Sequence, residues 1–98
     1  MQLHQINQLA YPATLETTWQ DSVQVGDQIL LIEEGFLRTQ QSSAFSSTLK
    51  QMIEKKEIVL YYLQSDATAY GLASDIGTSL SDEAWVDMTF SADTNISW

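Results

Sequence analysis

Apolar residues in this chain fall into short continuous runs, separated by stretches in which they recur every three or four positions. Residues 3–6, with Leu3 and Ile6 apolar, suit a short first strand. Tyr11-Pro12 breaks it, since proline pushes the preceding residue out of helical conformation and suits the first turn of a new helix. Leu15, Trp19 and Val23 then line one face of a short helix that Gly26-Asp27 ends. Ile29-Leu30-Leu31-Ile32 is too short a run for a helix and suits a strand buried on both faces. Glu33-Glu34-Gly35 stops it with charge and a flexible residue.

Residues 42–56 predict a helix with Phe45, Leu49, Met52 and Ile53 as its buried stripe and Lys50, Glu54 and Lys55 in water. Residues 58–63, rich in β-branched and aromatic side chains, give the clearest strand. Ser65 or Asp66 is positioned to cap a helix over 67–73 by accepting free backbone N–H groups. Residues 76–80 suit a short edge strand, and Ser81 or Asp82 can cap a last helix carrying Trp85, Met88 and Thr89. The polar stretch 91–98 carries no clear pattern. Strands that start roughly 25–30 residues apart and alternate with helices imply βαβ units. The expected fold class is therefore α/β: a mostly parallel sheet of four to five strands between two helix layers, with residues 1–98 as one domain.

Composition narrows the function. Thirteen acidic against four basic residues give a formal net charge of −9. The four cations, Arg38, Lys50, Lys55 and Lys56, are scattered, which argues against direct binding to nucleic acid or to an anionic membrane. A protein partner is expected to be basic or to dock through apolar surface. The first residues show no secretory pattern, and no apolar run is long enough to cross a bilayer. The expected setting is cytoplasmic. Asn95-Ile96-Ser97 matches a glycosylation acceptor, which without secretion is a chance match.

The most decisive chemical fact is that cysteine is absent. Such a chain forms no thiolate, no persulfide and no thiolate metal site. The single histidine, His4, could act as a general base in principle, but a packed or hydrogen-bonded strand residue is the ordinary reading. Glu33 and Glu34 stand at the end of a strand, where open α/β sheets place ligand sites. Paired carboxylates there could serve as acid and base, and an enzyme using carboxylates or tyrosine in a cleft at the strand ends would show a deep pocket around Glu33, Glu34 or Asp66, with shifted acidities. More often such a pair ends a strand in solvent. Asp82-Glu83 suits the positive end of a helix dipole. No glycine pattern of a phosphate loop is present, so no catalytic residue, cofactor or metal is expected. Three tryptophans and four tyrosines are many for 98 residues, and such rings are enriched at interfaces. Trp98, Trp85 and Tyr62 are the candidate partner-contact residues.

Several segments resemble the TusB/DsrH family. They are the opening strand with Leu3-His4; Gly26-Asp27 with Ile29-Leu30-Leu31-Ile32 and Gly35; Tyr62-Leu63, Asp66, Ala69 and Gly71-Leu72; Trp85-Val86 and Thr89; and Ser97-Trp98. The resemblance runs nearly end to end through order and spacing, and between 36 and 57 only helical patterning carries it. It implies a three-layer DsrEFH-like fold. It also implies a subunit of a heterohexamer with TusC-like and TusD-like sisters, which takes persulfide sulfur from a TusA-like donor and passes it to a TusE-like acceptor. The end product is the 2-thiouridine of a tRNA wobble position; in the related Dsr system the same architecture serves dissimilatory sulfur oxidation. Some DsrH-type members carry a cysteine, and no residue here matches it. The role implied is that of an accessory, non-catalytic subunit. A small regulatory or binding module unrelated to sulfur is the other reading, and it predicts a stable monomer without a large apolar patch.

Overall fold

In the computed structural model, residues 2–40, 43–74 and 76–98 are described. Five strands form one all-parallel sheet in the order β4-β3-β2-β1-β5. They are β1 (Gln2–Ile6), β2 (Gln28–Leu31), β3 (Val59–Leu63), β4 (Thr78–Leu80) and β5 (Thr94–Ser97). The helices are α1 (Ala13–Ser22), α2 (Ser43–Lys56), α3 (Gln64–Tyr70) and α4 (Asp82–Ser91), with a 3-10 helix at Glu33–Gln40.

The chain moves from β1 outward through β2 and β3 to β4, then crosses back through α4 to β5 on the far side of β1. Right-handed crossovers put helices on opposite faces when the strand order reverses in this way. The packing agrees. Trp19 of α1 and Leu49 and Met52 of α2 share one core with Ile6, Ile29 and Leu60. On the other face Leu3, Leu30, Ile32, Leu63 and Leu80 form a second core, against which Ala84, Trp85 and Met88 of α4 are packed. Leu3, Ile6, Ile29, Leu30 and Leu31 have no exposed surface, as a strand run buried from both sides requires. Each such side chain contributes roughly 1.5–3 kcal/mol by leaving water.

The second layer is thin. One ten-residue helix spans the sheet on that face, and none of its residues is fully buried. Its N-cap is Ser81, whose hydroxyl accepts the Ala84 N–H at 3.1 Å, in keeping with the sequence.

Four features depart from the sequence reading. Helix α3 starts at Gln64, directly after β3, and its N-cap Leu63 offers no side-chain acceptor. Ser65 and Asp66 therefore lie inside the helix rather than at its cap, and the Asp66 carboxylate accepts the N–H of Glu33 at 2.7 Å instead. The helix ends three residues earlier than expected, at Gly71 in the left-handed conformation, where the N–H groups of Gly71 and Leu72 return to the carbonyls of Thr68 and Ala67. Glu33 and Glu34 are exposed, as a strand-ending pair should be, but they open a 3-10 helix that periodicity did not reveal. The unassigned tail supplies β5, registered on β1 with Leu3 beside Asn95 and His4 beside Ile96. Arg38 is not a scattered surface cation: it is 1% exposed. Within α2, Leu49 and Met52 are buried and Ile53 partly so; Ser42 and the Phe45 side chain lie outside the described residues.

The 3-10 helix crosses the end of β1 at close range. Ile6 O accepts the N–H of Ile32 at 3.0 Å. A Cβ at Gly35 would stand 2.0 Å from that same oxygen, so only glycine fits there without moving backbone.

Candidate functional site

Two groupings of polar side chains stand out. The first joins β1 to the residue before β2 and the residue after β5. His4 on β1 has no exposed surface. Its Nε2 lies 3.0 Å from Asp27 Oδ2, and its Nδ1 accepts the indole N–H of Trp98 at 3.1 Å. The two rings are nearly parallel, 8° apart, with centroids separated by 6.1 Å. An indole nitrogen only donates. Nδ1 is thus the acceptor, and the imidazole proton sits on Nε2, directed at the carboxylate.

Asp27 is 4% exposed, and its carboxylate also accepts the backbone N–H of Gln2 at 3.0 Å and of Gln24 at 2.9 Å. Burial alone would raise its pKa. The Gln24 and Gln2 N–H groups and the His4 contact outweigh burial and hold it below the ordinary 3.8. Every acceptor and donor of this group faces another member of the fold. The arrangement pins strand β1, the turn before β2 and the segment after β5 to one another. His4 is therefore the hydrogen-bonded strand residue that the sequence suggested, and Trp98 docks on its own domain, half-buried against the α1/α2 core.

The second grouping lies where open α/β sheets bind ligands, beyond the carboxyl ends of the strands. A hollow of about 390 Å³ is lined by Ile32, Glu33, Leu63, Ser65, Asp66, Asp82, Trp85 and Val86. Glu33 adopts a positive φ of 51°, uncommon outside glycine, and its N–H is held by Asp66. Ser65 donates to Asp82 Oδ1 at 2.9 Å, tying α3 to α4. Three carboxylates line this space, with no lysine, arginine or histidine among the lining residues. Such a surface repels phosphate, thiolate and persulfide anions and suits a cationic or hydrogen-bond-donating guest. The Glu33-Glu34 pair does not come together as an acid and a base here: Glu33 lines the hollow with Asp66, and Glu34 is not among its lining. Among the described residues no group of three or more His, Asp or Glu side chains is arranged to hold a metal ion.

The candidate contact residues divide among these places. Trp85 lines the acidic hollow, and its Nε1 is buried without a hydrogen-bond partner among the described residues. Tyr62 is half-buried on the opposite face, its ring 5.3 Å from that of Phe36. Trp98 belongs to the His4 group. The structure does not bring the three onto one surface.

Sequence reasoning missed a third polar group, built on Arg38. Its guanidinium makes a two-pronged contact with Glu16, Nη2 to Oε1 at 2.6 Å and Nη1 to Oε2 at 3.1 Å, while Nε donates to Gln8 O at 2.7 Å. Glu16 also accepts Tyr11 N–H at 2.8 Å and Trp19 Nε1–H at 3.1 Å, and the guanidinium lies 5.0 Å from the Tyr11 ring centroid. Burial works to raise the Glu16 pKa, but the bond to Arg38, the Tyr11 N–H, the Arg38 charge and the Trp19 N–H together hold it below 4.5. No spacing rule marks this pair, because its members are 22 positions apart in different helices.

No helix among the described residues is long and apolar enough to cross a membrane. No curated protein matches the chain. A family model, described as DsrH like protein, matches residues 13–95, which is all of the chain except β1, the loop after it and the last three residues. This match covers most of the chain, and the all-parallel α/β architecture is compatible with it: the chain belongs to the DsrH-like family, whose role is related to sulfur relay.

Proposed function

We propose that this chain is a non-catalytic subunit of a TusBCD-like complex that passes persulfide sulfur toward 2-thiolation of the tRNA wobble uridine. The observation that carries this reading is a DsrH-like sequence in which no cysteine is present. Moving sulfur along a relay requires a thiolate to attack the outer sulfur of a persulfide, and that thiolate belongs here to a TusD-like sister. TusC-like and TusD-like sisters complete a cytoplasmic heterohexamer with this chain, and a TusA-like donor and a TusE-like acceptor visit it. The carboxylate-lined hollow supports a scaffolding role, since it would repel a persulfide anion rather than hold one. The exposed edges of Trp85, Tyr62 and Trp98 contribute to subunit contacts. A DsrH-like role in sulfur oxidation is the second reading; the missing thiol favours thiolation, because oxidation-type relatives more often keep a cysteine.

The test is co-expression with the two sister subunits, followed by size exclusion and transfer of labelled sulfane sulfur to the acceptor. The expected result is a hetero-oligomer whose transfer slows when this chain is left out. Full transfer without it, or labelled sulfur retained covalently on this chain, would defeat the proposal.

A further inference from the structure

Helix α4 is apolar on two opposite sides. At 100° per residue, Ala84, Trp85, Met88 and Ala92 fall on the side that packs against the sheet. Val86 and Phe90, one turn apart, fall on the side facing directly away from it. Val86 is 48% exposed and Phe90 85%, the most exposed large apolar side chain among those described. A surface helix ordinarily carries one apolar stripe, turned to the core; this one carries a second that has no protein against it among the described residues.

The surroundings of that ridge are charged with one sign. Asp82, Glu83 and Asp87 flank it on α4 and, with Val86, line a shallow hollow. That hollow shares Asp82 and Val86 with the acidic one at the strand ends, which adds Glu33 and Asp66. Neither lining includes a lysine or arginine. Lys55 and Lys56 line a different depression, on α2 and α1 across the sheet, and Arg38 is buried against Glu16. The molecule thus has one face on which an exposed aromatic and aliphatic ridge runs beside acidic side chains, with Val86 lining both acidic hollows.

We infer that the outer face of α4, centred on Val86 and Phe90, docks a partner protein whose contact surface has an apolar centre rimmed by lysine and arginine. The charge pattern decides the occupant. A second copy would bring the same acidic side chains against themselves, and an anionic lipid surface would be repelled as well. A basic rim meets the carboxylates of Asp82, Glu83 and Asp87 beside the ridge, while the apolar centre covers Val86 and Phe90. The inference rests on the subunit reading only in taking the partner to be a sister subunit; the face itself follows from the side chains.

Two arms test it. In the first, the two sister subunits are titrated with the wild-type chain, with V86S/F90S, with E83K/D87K, and with V25S, which removes an exposed apolar residue before β2. Both α4 variants are expected to raise the dissociation constant at least ten-fold and V25S to leave it unchanged, with circular dichroism melting confirming that each variant folds. Wild-type affinity in V86S/F90S overturns the docking face and leaves the subunit reading standing. Failure of the wild type to bind the sisters defeats the subunit reading instead. The second arm needs no sister: a helical peptide with a leucine stripe between lysine rows is titrated into the ¹⁵N-labelled chain. Amides of Asp82–Ser91 are expected to shift first, with the response lost in E83K/D87K. Shifts spread evenly over the surface, or none, overturn the docking face whatever the first arm gives.

Discussion

Trp98 Nε1 donates to His4 Nδ1 across 94 positions of sequence, and this one bond fixes the tautomer of the imidazole. Because the indole can only donate, the ring's proton lies on Nε2 and points at Asp27. Long-range ¹H–¹⁵N correlation of the imidazole is expected to show Nδ1 as the unprotonated nitrogen. W98F keeps a ring but loses the donor and leaves a buried Nδ1 unmatched, a cost of about 1 kcal/mol. W98A loses the half-buried packing too, for about 2–4 kcal/mol. Urea unfolding distinguishes the two, and a W98F variant as costly as W98A would remove the bond from the account.

Asp27 sets a pH dependence. Its folded pKa lies below the unfolded value of 3.8, because backbone N–H groups and His4 outweigh its burial. The stability it contributes is complete above that unfolded value and is lost as pH falls through the folded one. Unfolding free energy is therefore expected to decline below about pH 4.5, where protonation of the unfolded carboxylate begins. D27N, with one oxygen in place of two, loses charge-assisted acceptors and costs about 2–3 kcal/mol at neutral pH. Its stability profile in acid is correspondingly flatter, and an unchanged slope would show that Asp27 is not the group responsible.

Arg38 and Glu16 form a buried pair whose geometry lysine cannot reproduce. R38M leaves Glu16 with only the Tyr11 and Trp19 donors, for a loss of about 2–4 kcal/mol, less than a fully buried pair loses because the Glu16 side chain keeps 22% of its surface in water. R38K keeps the charge but not the fork and falls between R38M and wild type. Thermal melts of the three proteins, with E16Q and the double variant R38M/E16Q to close the cycle, measure the coupling. Additive effects would mean that the two side chains act independently.

Much of this fold could be read along the chain because its central strands are apolar on both faces. Ile29-Leu30-Leu31 and the run ending at Leu63 needed no partner information to be recognised. Residues 94–97 gave no signal because β5 is an edge strand, with Ile96 its one half-buried side chain and Thr94, Asn95 and Ser97 in water. Its pairing with β1 comes from tertiary structure alone. The burial of Arg38 is silent in the sequence for a related reason: a guanidinium is buried only when a distant carboxylate meets it, and Glu16 is a residue that any solvated helix could carry. At His4 the opposite held, since a lone histidine in a strand has few ordinary roles. Local spacing offers Ser65 or Asp66 as a helix cap, whereas a contact 33 positions away claims the Asp66 carboxylate.

Two glycines separate steric from conformational demand. Gly35 has no room: an added Cβ would meet the Ile6 carbonyl oxygen at 2.0 Å. G35A must push the 3-10 helix off the end of β1, for about 2–3 kcal/mol or more. Gly26 has open space but a φ of +84°, so G26A costs only about 1–2 kcal/mol. Equal losses in denaturant titrations would contradict the close approach at Gly35.

The crossover through α4 links the two borders of the sheet. β4 feeds it from one border, and it delivers the chain to β5 on the other, where the Trp98 N–H closes on Gln5 O at 3.0 Å. If α4 lifts from its thin core, β5 loses the segment that carries it back to β1. Amide protons of β5 would then exchange with solvent in step with α4, as one cooperative unit, while the interior strands β1, β2 and β3 stay protected until the whole molecule opens.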